Sequence, residues 1–375
     1  MTKAAELAKM GEVLTNSQIG GRRNIVINGA MQVAQRGTSS TSTGYGSVDR
    51  IRVNTNNLDQ LAFTQSQSTT TPGQGFSNSF KFEVTTKEDA LSGGEFANIQ
   101  YRIEAQDLQS LAYGTSDAKK ATLSFWVRSS LTGKYSVLFY QADDVRSNTQ
   151  SFTISSADTW EHKTITIDGD TTGVIDNNNG LGININFQLA AGGDYAGTPH
   201  SGWGAYAETD DFAFDDQVNF IAQTGTFYLT GLQFEIGEQA TPFEHRSFGE
   251  ELALCQRYYY KSMDGSPADN IPNTDNTSSN GHLGIAMYST TSGRLPYFKH
   301  PVQMRADPSV TVYSSERANT SGKFALFNQS SWVATATSTP VVDINRASFS
   351  VTVSSGLTAG STYLLAGGFD ADAEL

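Results

Sequence analysis

Residues 190–206 carry side chains whose types and spacing fit carbohydrate binding. Sugars present apolar C–H faces that stack on aromatic rings, and hydroxyl groups that pair with carboxylate, amide or imidazole groups. Five such residues stand together here among glycines: Asp194, Tyr195, His200, Trp203 and Tyr206. Binding residues are often found on loops that a rigid scaffold positions. This segment is therefore the first candidate glycan site.

Two interpretations of Trp203 stay open, because a large ring at the edge of a β-sandwich also serves as a packing plug. Exposure of Trp203 and Tyr206 as one patch would favour glycan binding. Trp332 follows a strand pattern near the end of the chain and is a further candidate, for a glycan or for a contact between subunits. Trp126 and Trp160 stand in or beside strand patterns and are expected in the core.

A calcium loop is the second chemical possibility. The segment that starts at Asp168 and Asp170 begins like an acidic calcium loop. Thr172 and Asn179 stand where that pattern requires a ligand and a bidentate glutamate. A turn stabilised by aspartate side chains is the favoured interpretation. We predict no cofactor, with structural calcium kept open.

Catalysis finds little support in the sequence. Glycoside hydrolysis needs two carboxylates that flank the scissile bond, and the sequence singles out no such pair. The five histidines are scattered, and motifs for a nucleophile elbow, a zinc protease or a phosphate-binding loop are missing. We predict that the protein is not an enzyme.

Composition excludes several classes of partner. The net charge of the 375 residues is −13, which disfavours nucleic acid, because a basic face must neutralise its phosphates. No stretch approaches the roughly 18 apolar residues of a membrane span, so no membrane insertion is expected. The single cysteine, Cys255, excludes an internal disulfide and is expected to be a buried packing residue.

The elements that must position these residues are mainly strands. Apolar and polar residues alternate with a period of two in many short runs, among them 121–127 and 183–189, and each run is bounded by Gly, Asn, Asp or Ser. Charged residues are only 17%, and glycine is plentiful. We predict a mainly β fold: an antiparallel jelly-roll sandwich, then a short helix and a second, smaller β-sandwich, with a short N-terminal helix.

The domain prediction has three parts. Residues 1–48 form an N-terminal helix, hinge and linker, residues 49–246 form the jelly roll, and residues 247–375 form a linker helix and the distal sandwich. Ser247 and Glu250 fit a capping box at the start of a helix over 248–261. A helical interruption is predicted at 97–112.

Several of these segments resemble bacteriophage tail-fibre and related virion proteins. The junction segments 231–246 and 251–261 carry most of the resemblance. Shorter pieces that also fit are 24–37, 124–128, 160–167 and 371–375. Proteins of this kind commonly carry a carbohydrate-binding-type jelly roll before the junction. The resemblance brings no catalytic residues.

The resemblance implies a structural fibre or spike protein of a virion, assembled in the host cytoplasm. It implies a homotrimer that attaches to other virion proteins through residues 1–24 and contacts a host cell-surface glycan or receptor. Two alternatives stay open. One is a purely structural decoration or adaptor protein without a ligand, and the other is a glycan-degrading tailspike.

Overall fold

A computed structural model describes Lys3 and residues 23–262, 282–295, 297–313, 322–328, 332–353 and 357–375. The predicted N-terminal helix lies outside the described residues. The chain divides into two compact units, Met1–Glu251 with Leu375, and Leu252–Glu374. Within the described part of the chain, no helix has both the length and the apolar character that a membrane crossing needs.

Between residues 23 and 247, the first unit has fourteen strands and three short helices. The strands are β1 (Ser39–Ser40), β2 (Ile51–Asn56), β3 (Ala62–Ser68), β4 (Ser79–Thr86), β5 (Phe96–Glu104), β6 (Ala121–Ser129), β7 (Gly133–Gln141), β8 (Arg146–Ile154), β9 (Glu161–Ile167), β10 (Leu181–Ala191), β11 (Ala196–Gly197), β12 (Gly204–Ala205), β13 (Ala213–Phe214) and β14 (Gly225–Ile236). The helices are α1 (Glu208–Asp211) and two 3-10 helices, Ala105–Leu111 and Phe220–Ala222.

Twelve of these strands form two six-stranded antiparallel sheets that pack face to face. Sheet I has the order β1-β3-β4-β14-β6-β9, and sheet II has the order β12-β8-β7-β10-β5-β2. The core between them is rich in phenylalanine. Phe125 of sheet I lies edge-on to Phe187 of sheet II, with ring centroids 5.0 Å apart. The predicted antiparallel β-sandwich is thus confirmed.

Alternation along each strand decides which side chains reach this core. In β6, Leu123, Phe125 and Val127 are fully buried. The prediction that Trp126 is a core residue is wrong, because successive side chains of a strand point to opposite faces and Trp126 stands between the core residues Phe125 and Val127. Its half-buried ring lies on the outer face of sheet I, 5.2 Å from that of His162. Trp160 likewise packs on Tyr228 rather than in the core.

Residues 23–48 belong to the sandwich, in contrast to the predicted hinge and linker. Ile25, Val26 and Met31 are part of its hydrophobic core. The Asn24 side chain fixes this segment: its Oδ1 accepts from the N–H groups of Val26 and Phe234, and its Nδ2 donates to the Leu232 carbonyl. The apolar run 25–27 is therefore buried without belonging to a strand, because bonds to the Asn24 side chain hold it against β14.

The helix predicted at 97–112 is wrong over most of its length. Strand β5 continues to Glu104, and only Ala105–Leu111 is helical, as a 3-10 helix. Ile99 and Ile103 fit a helical spacing, but with Tyr101 between them they also fit a period of two. The strand lies between β10 and β2 in sheet II, and tertiary pairing on both sides overrides the local helical pattern.

Helix α2 (Phe248–Gln256) spans the boundary between the two units. The Glu250 N–H donates to Ser247 Oγ at 3.3 Å, which fits the predicted N-cap. The helix ends before 261, because Tyr259–Lys261 pairs with the last strand of the chain instead. Cys255 is buried, as predicted.

The second unit is also mainly β. Its strands are β15 (Tyr259–Lys261), β16 (His282–Met287), β17 (Ser292–Arg294), β18 (Phe298–Lys299), β19 (Ser309–Tyr313), β20 (Ala325–Phe327), β21 (Trp332–Ala334), β22 (Ala336–Asp343), β23 (Arg346–Thr352), β24 (Thr362–Ala366) and β25 (Gly368–Asp372). One sheet has the order β15-β25-β19 and the other β18-β23-β17-β16-β24-β20-β21, with β22 paired to β23. Phe349 and Phe369 join the two sheets, with centroids 5.0 Å apart.

Candidate functional site

The candidate loop is part of a longer excursion that crosses the outer face of sheet II. We call residues 192–217, between β10 and the return toward β14, the cover loop. Its strand β12 pairs with the edge strand β8. Farther along, Thr149 of β8 donates to the Asp211 carbonyl, and Gln188 of β10 donates to the Phe212 carbonyl at 3.0 Å. The cover loop is thus fixed to strands at both the edge and the middle of the sheet.

Tyr195 and Tyr206 meet in one small aromatic cluster beneath this loop. Its buried members are Leu138, Phe212 and Ala213, and the half-buried rings of Phe96, Tyr140, Tyr195 and Tyr206 pack against them. The Tyr195 ring lies 4.9 Å from that of Phe96, and the Tyr206 ring 5.1 Å from that of Tyr140. These two tyrosines therefore stand where the cover loop meets the sheet.

His200 braces the cover loop rather than facing a ligand. Its Nδ1 lies 2.6 Å from Oδ1 of Asp211, a buried carboxylate, and its Nε2 lies 3.1 Å from the Ser147 carbonyl of β8. Asp211 Oδ2 also accepts from the Ala207 N–H at 2.7 Å. Because both ring nitrogens are engaged, His200 connects the loop to the sheet edge.

Trp203 lies apart from the two tyrosines. Its Nε1 donates to the Asp168 carbonyl at 2.8 Å, and its ring stands edge-on to Tyr113 at 5.6 Å, against the main core. The packing interpretation of Trp203 fits this position. Asp194 is exposed at the rim of the loop. Trp332 pairs with Phe327 between β21 and β20, and its side chain lies outside the described residues.

A row of amide side chains occupies the outer face of sheet II beside the cover loop. In β10, Ile183, Ile185 and Phe187 enter the core, so the residues between and after them point outward. The strand register places them opposite outward residues of β5, which in turn pair with β2. We call this set the amide face; it consists of Asn54, Asn98, Gln100, Asn184, Asn186 and Gln188.

Five polar atoms of the amide face are buried and have no hydrogen-bond partner among the described residues. They are both amide atoms of Asn98 and the side-chain oxygens of Asn184, Asn186 and Gln188. An unpaired buried polar atom costs about 1–3 kcal/mol. Native proteins contain few such atoms, and each calls for an explanation. Their concentration on two adjacent strands marks this face as the candidate ligand site.

The surroundings of the amide face are aromatic and polar. Tyr140 stands opposite Asn184 in the strand register. Burial, with the nearby charge of Glu208, raises the pKa of both Tyr140 and Tyr206, so both hydroxyl groups stay protonated and able to donate. Arg52 donates to Gln100 Oε1 at 2.6 Å, and burial followed by the charge of Arg102 lowers its pKa. The site therefore offers amide donors and acceptors, tyrosine hydroxyl groups and the Arg52 guanidinium beside aromatic rings.

Sequence reasoning missed the amide face for two reasons. The alternation of 183–189 predicts a strand, but it does not distinguish buried outward amides from ordinary solvent-facing residues. Asn98 and Gln100 lie in the segment predicted to be helical, so the second strand of the face was not recognised. One signal was present: asparagine is depleted in strands, and Asn184 and Asn186 interrupt a β-rich run.

The acidic segment at 168–176 is held by an ion pair. Both carboxylate oxygens of Asp170 contact Arg146, at 2.6 and 3.1 Å, and Oδ1 also accepts from the Thr172 N–H. These bonds are those of a turn stabilised by aspartate. Among the described residues, no three His, Cys, Asp or Glu side chains are grouped so that they could hold a metal ion. Calcium stays an untested prediction.

Comparison with known proteins finds weak structural likenesses. No protein-family model and no curated protein matches the chain. A putative sugar binding protein from Bacteroides thetaiotaomicron is 13% identical, with 57% of this chain and 100% of that chain covered and a TM-score of 0.33. A family 11 carbohydrate-binding module from Clostridium thermocellum is 11% identical, with 54% and 96% covered and a TM-score of 0.28.

A phage protein is also among the similar structures. The enzymatically active domain of tailspike protein 4 of bacteriophage CBA120 is 13% identical, with a TM-score of 0.31. The match covers 57% of this chain but only 21% of the tailspike chain. At such identities and TM-scores these likenesses carry no argument about function. The functional argument rests on the residues of the site.

Proposed function

We propose that this chain is a non-enzymatic fibre or spike protein of a bacteriophage virion that binds host-surface glycans at its amide face. The observation that supports this proposal is the cluster of unpaired amide atoms on β5 and β10, beside Tyr140 and Tyr206. Sugar hydroxyl groups both donate and accept hydrogen bonds, as amides do, and tyrosine rings accept the C–H faces of pyranoses.

The virion part of the proposal rests on the resemblance of segments 24–37, 231–246 and 251–261 to phage fibre proteins. In this proposal the protein is a homotrimer that attaches to other virion proteins through residues 1–24. It is assembled in the host cytoplasm and acts on the virion.

Binding without turnover is proposed because the outward positions that form the site carry amides. Hydrolysis of a glycosidic bond uses one carboxyl group as an acid and another as a base or nucleophile. Neutral amides can hold a sugar but cannot exchange protons with it at neutral pH. The expected activity is therefore recognition.

A glycan array and a host-cell binding assay with the intact protein test the proposal. The face variant combines Asn184→Leu with Tyr206→Ala, and the matched control is Trp203→Ala, which lies in the same loop but away from the amide face. Binding lost in the face variant and kept in the control supports the proposal. Absence of binding by the wild type favours a purely structural adaptor, and release of sugars from host polysaccharide indicates a degrading spike.

A further inference from the structure

Three residues of the amide face are inaccessible in this structure. Asn98 and Gln188 are fully buried, and Asn186 is 3% exposed. The cover loop lies over them: Gln188 bonds the Phe212 carbonyl, and Leu138, opposite Asn186, packs in the cluster of Phe212. Phe96, two residues before Asn98 on the same face, contacts the rings of Tyr195 and Phe212. A ligand resting on the visible surface would not reach these three side chains.

The covered amides differ from other buried amides of the same sandwich. Asn24 is equally buried, yet its side chain makes three hydrogen bonds. Asn98 makes none with any described residue. Under a permanently closed loop, apolar side chains would stabilise this position better than unpaired amides. The covered amide side chains therefore fit a second state of the protein, in which they have hydrogen-bond partners.

We propose that the covered part of the amide face is a further ligand subsite, which receives the hydroxyl groups of a neutral sugar when residues 206–217 of the cover loop move off the sheet. This inference rests on the proposed glycan-binding function. The ligand is neutral because a buried charged group needs a compensating charge, and the three covered side chains offer only dipoles.

The two halves of the cover loop are held differently. The first half is fixed by main-chain pairing of β12 with β8 and of the Gly192 N–H with the Glu95 carbonyl, and by the Trp203 bond. The second half contacts sheet II mainly through side chains, apart from the Tyr206 N–H bond to the Val145 carbonyl at 3.0 Å, and its strand β13 pairs with β11 of the first half. Ser136 Oγ accepts from the Phe214 N–H at 3.0 Å, and Lys134 contacts Asp216 at 2.6 Å. Residues 206–217, between Ala205 of β12 and Val218, are thus the part that moves, and this movement separates the two-residue strand β13 from β11.

Hydrogen–deuterium exchange of the full-length protein tests the movement without any ligand. Peptides within 206–217 are expected to exchange at least about tenfold faster than those of β14. Thr149→Val removes the bond to the Asp211 carbonyl and is expected to speed exchange of 206–217 about fivefold. The matched control is Thr230→Val, because buried Thr230 donates to the Asn78 carbonyl at 2.8 Å on the other sheet. The control is expected to leave 206–217 unchanged.

A binding experiment tests the subsite itself. The probe is the neutral oligosaccharide that binds most tightly on the glycan array, titrated against wild type, Asn98→Leu and Asn98→Ala. Both variants are expected to weaken binding about tenfold, since two hydrogen bonds to the ligand are lost. Thr149→Val is expected to bind the same probe about threefold more tightly, because less binding free energy is then needed to open the cover loop.

The outcomes separate the two proposals. Failure of the wild type to bind any glycan overturns the proposed function. Glycan binding that both Asn98 variants keep at full strength overturns only the covered subsite, as does a requirement for an acidic sugar. Exchange of 206–217 as slow as that of β14, in wild type and in Thr149→Val alike, also overturns the subsite.

Discussion

Arg246 donates from Nη1 to the main-chain oxygen of Val26 at 3.1 Å, although 220 residues separate them. The same guanidinium contacts Glu251 at 2.8 Å and Glu244 at 2.9 Å, and it donates to the Asn24 carbonyl. Glu244 in turn accepts from the N–H groups of Arg23 and Asn24. Two segments that carry the resemblance to phage fibres, 24–37 and 231–246, are therefore held together by one partly buried charged network.

Arg246→Met is expected to destabilise the first unit by about 3–5 kcal/mol, because removal of the guanidinium leaves two carboxylates without their charged partner. The free energy of unfolding in urea measures this. Arg23→Met is the control, since Arg23 is more exposed and its contact with Glu235 is longer, at 3.6 Å. Equal losses in the two variants would contradict a special role for Arg246.

Asn98→Leu and Asn24→Leu are expected to change stability in opposite directions. Both asparagines are fully buried, and leucine has a similar shape. Asn98→Leu is expected to stabilise by about 1–2 kcal/mol, because it removes unpaired polar atoms. Asn24→Leu removes three hydrogen bonds to the main chain and is expected to destabilise by about 3 kcal/mol. Denaturant unfolding of both variants checks this, and a loss of stability in Asn98→Leu would refute the assignment of its amide as unpaired.

Trp203→Ala and Tyr206→Ala are expected to separate packing from binding. Trp203 packs against the main core, so its truncation should cost about 3 kcal/mol in unfolding free energy and leave glycan binding unchanged. Tyr206→Ala removes a ring beside the amide face and should weaken binding about tenfold. Thermal unfolding and glycan-array binding on the same samples measure both effects. If Trp203→Ala loses glycan binding at temperatures where this variant is still folded, the glycan site would instead include Trp203.

Stability of the second unit is expected to fall as the pH drops below about 6.5. Burial lowers the pKa of His300 from its ordinary value of 6.5, despite the opposing influence of Asp343. Between the two pKa values the unfolded chain binds more protons than the folded one, so acidification favours unfolding. The stabilising contribution is complete above 6.5 and disappears as the pH falls toward the folded pKa.

Urea unfolding of the second unit between pH 8 and pH 5 measures this dependence. In His300→Leu the decline below 6.5 is expected to become shallower, since leucine cannot bind a proton. His245→Leu is the control, because His245 is exposed in the first unit. An unchanged decline in His300→Leu would assign the effect to other groups.

Much of the β architecture could be predicted because strand alternation directly reports which side chains face a core. The runs at 121–127 and 183–189 are examples. The segments that sequence reasoning misplaced depend on tertiary contacts instead. Residues 97–104 suit a helix locally and become a strand because they pair with β2 and β10. Residues 24–31 have no strand ladder and are fixed by polar bonds to residues about 210 positions away.

The candidate site was predicted in part. Tyr195 and Tyr206 were identified from their types, and they do border the site. Trp203 was grouped with them by proximity in sequence, yet the chain turns between Trp203 and Tyr206 and places the two rings on different surfaces. The amide face could not be assembled from sequence, because its members come from three strands whose register only the fold defines.

The bonds of Asn24 also determine when this sandwich can be completed during synthesis. The Asn24 side chain can accept from the Phe234 N–H only after Phe234, which is 210 residues later in the chain, has been synthesised. At about 5–20 residues per second, a ribosome needs about 10–40 s to make that stretch. This core segment is therefore synthesised long before the contacts that bury it can form. Folding dominated by such distant contacts is slow, and the nascent chain would expose Ile25, Val26 and Met31 to chaperones throughout that interval.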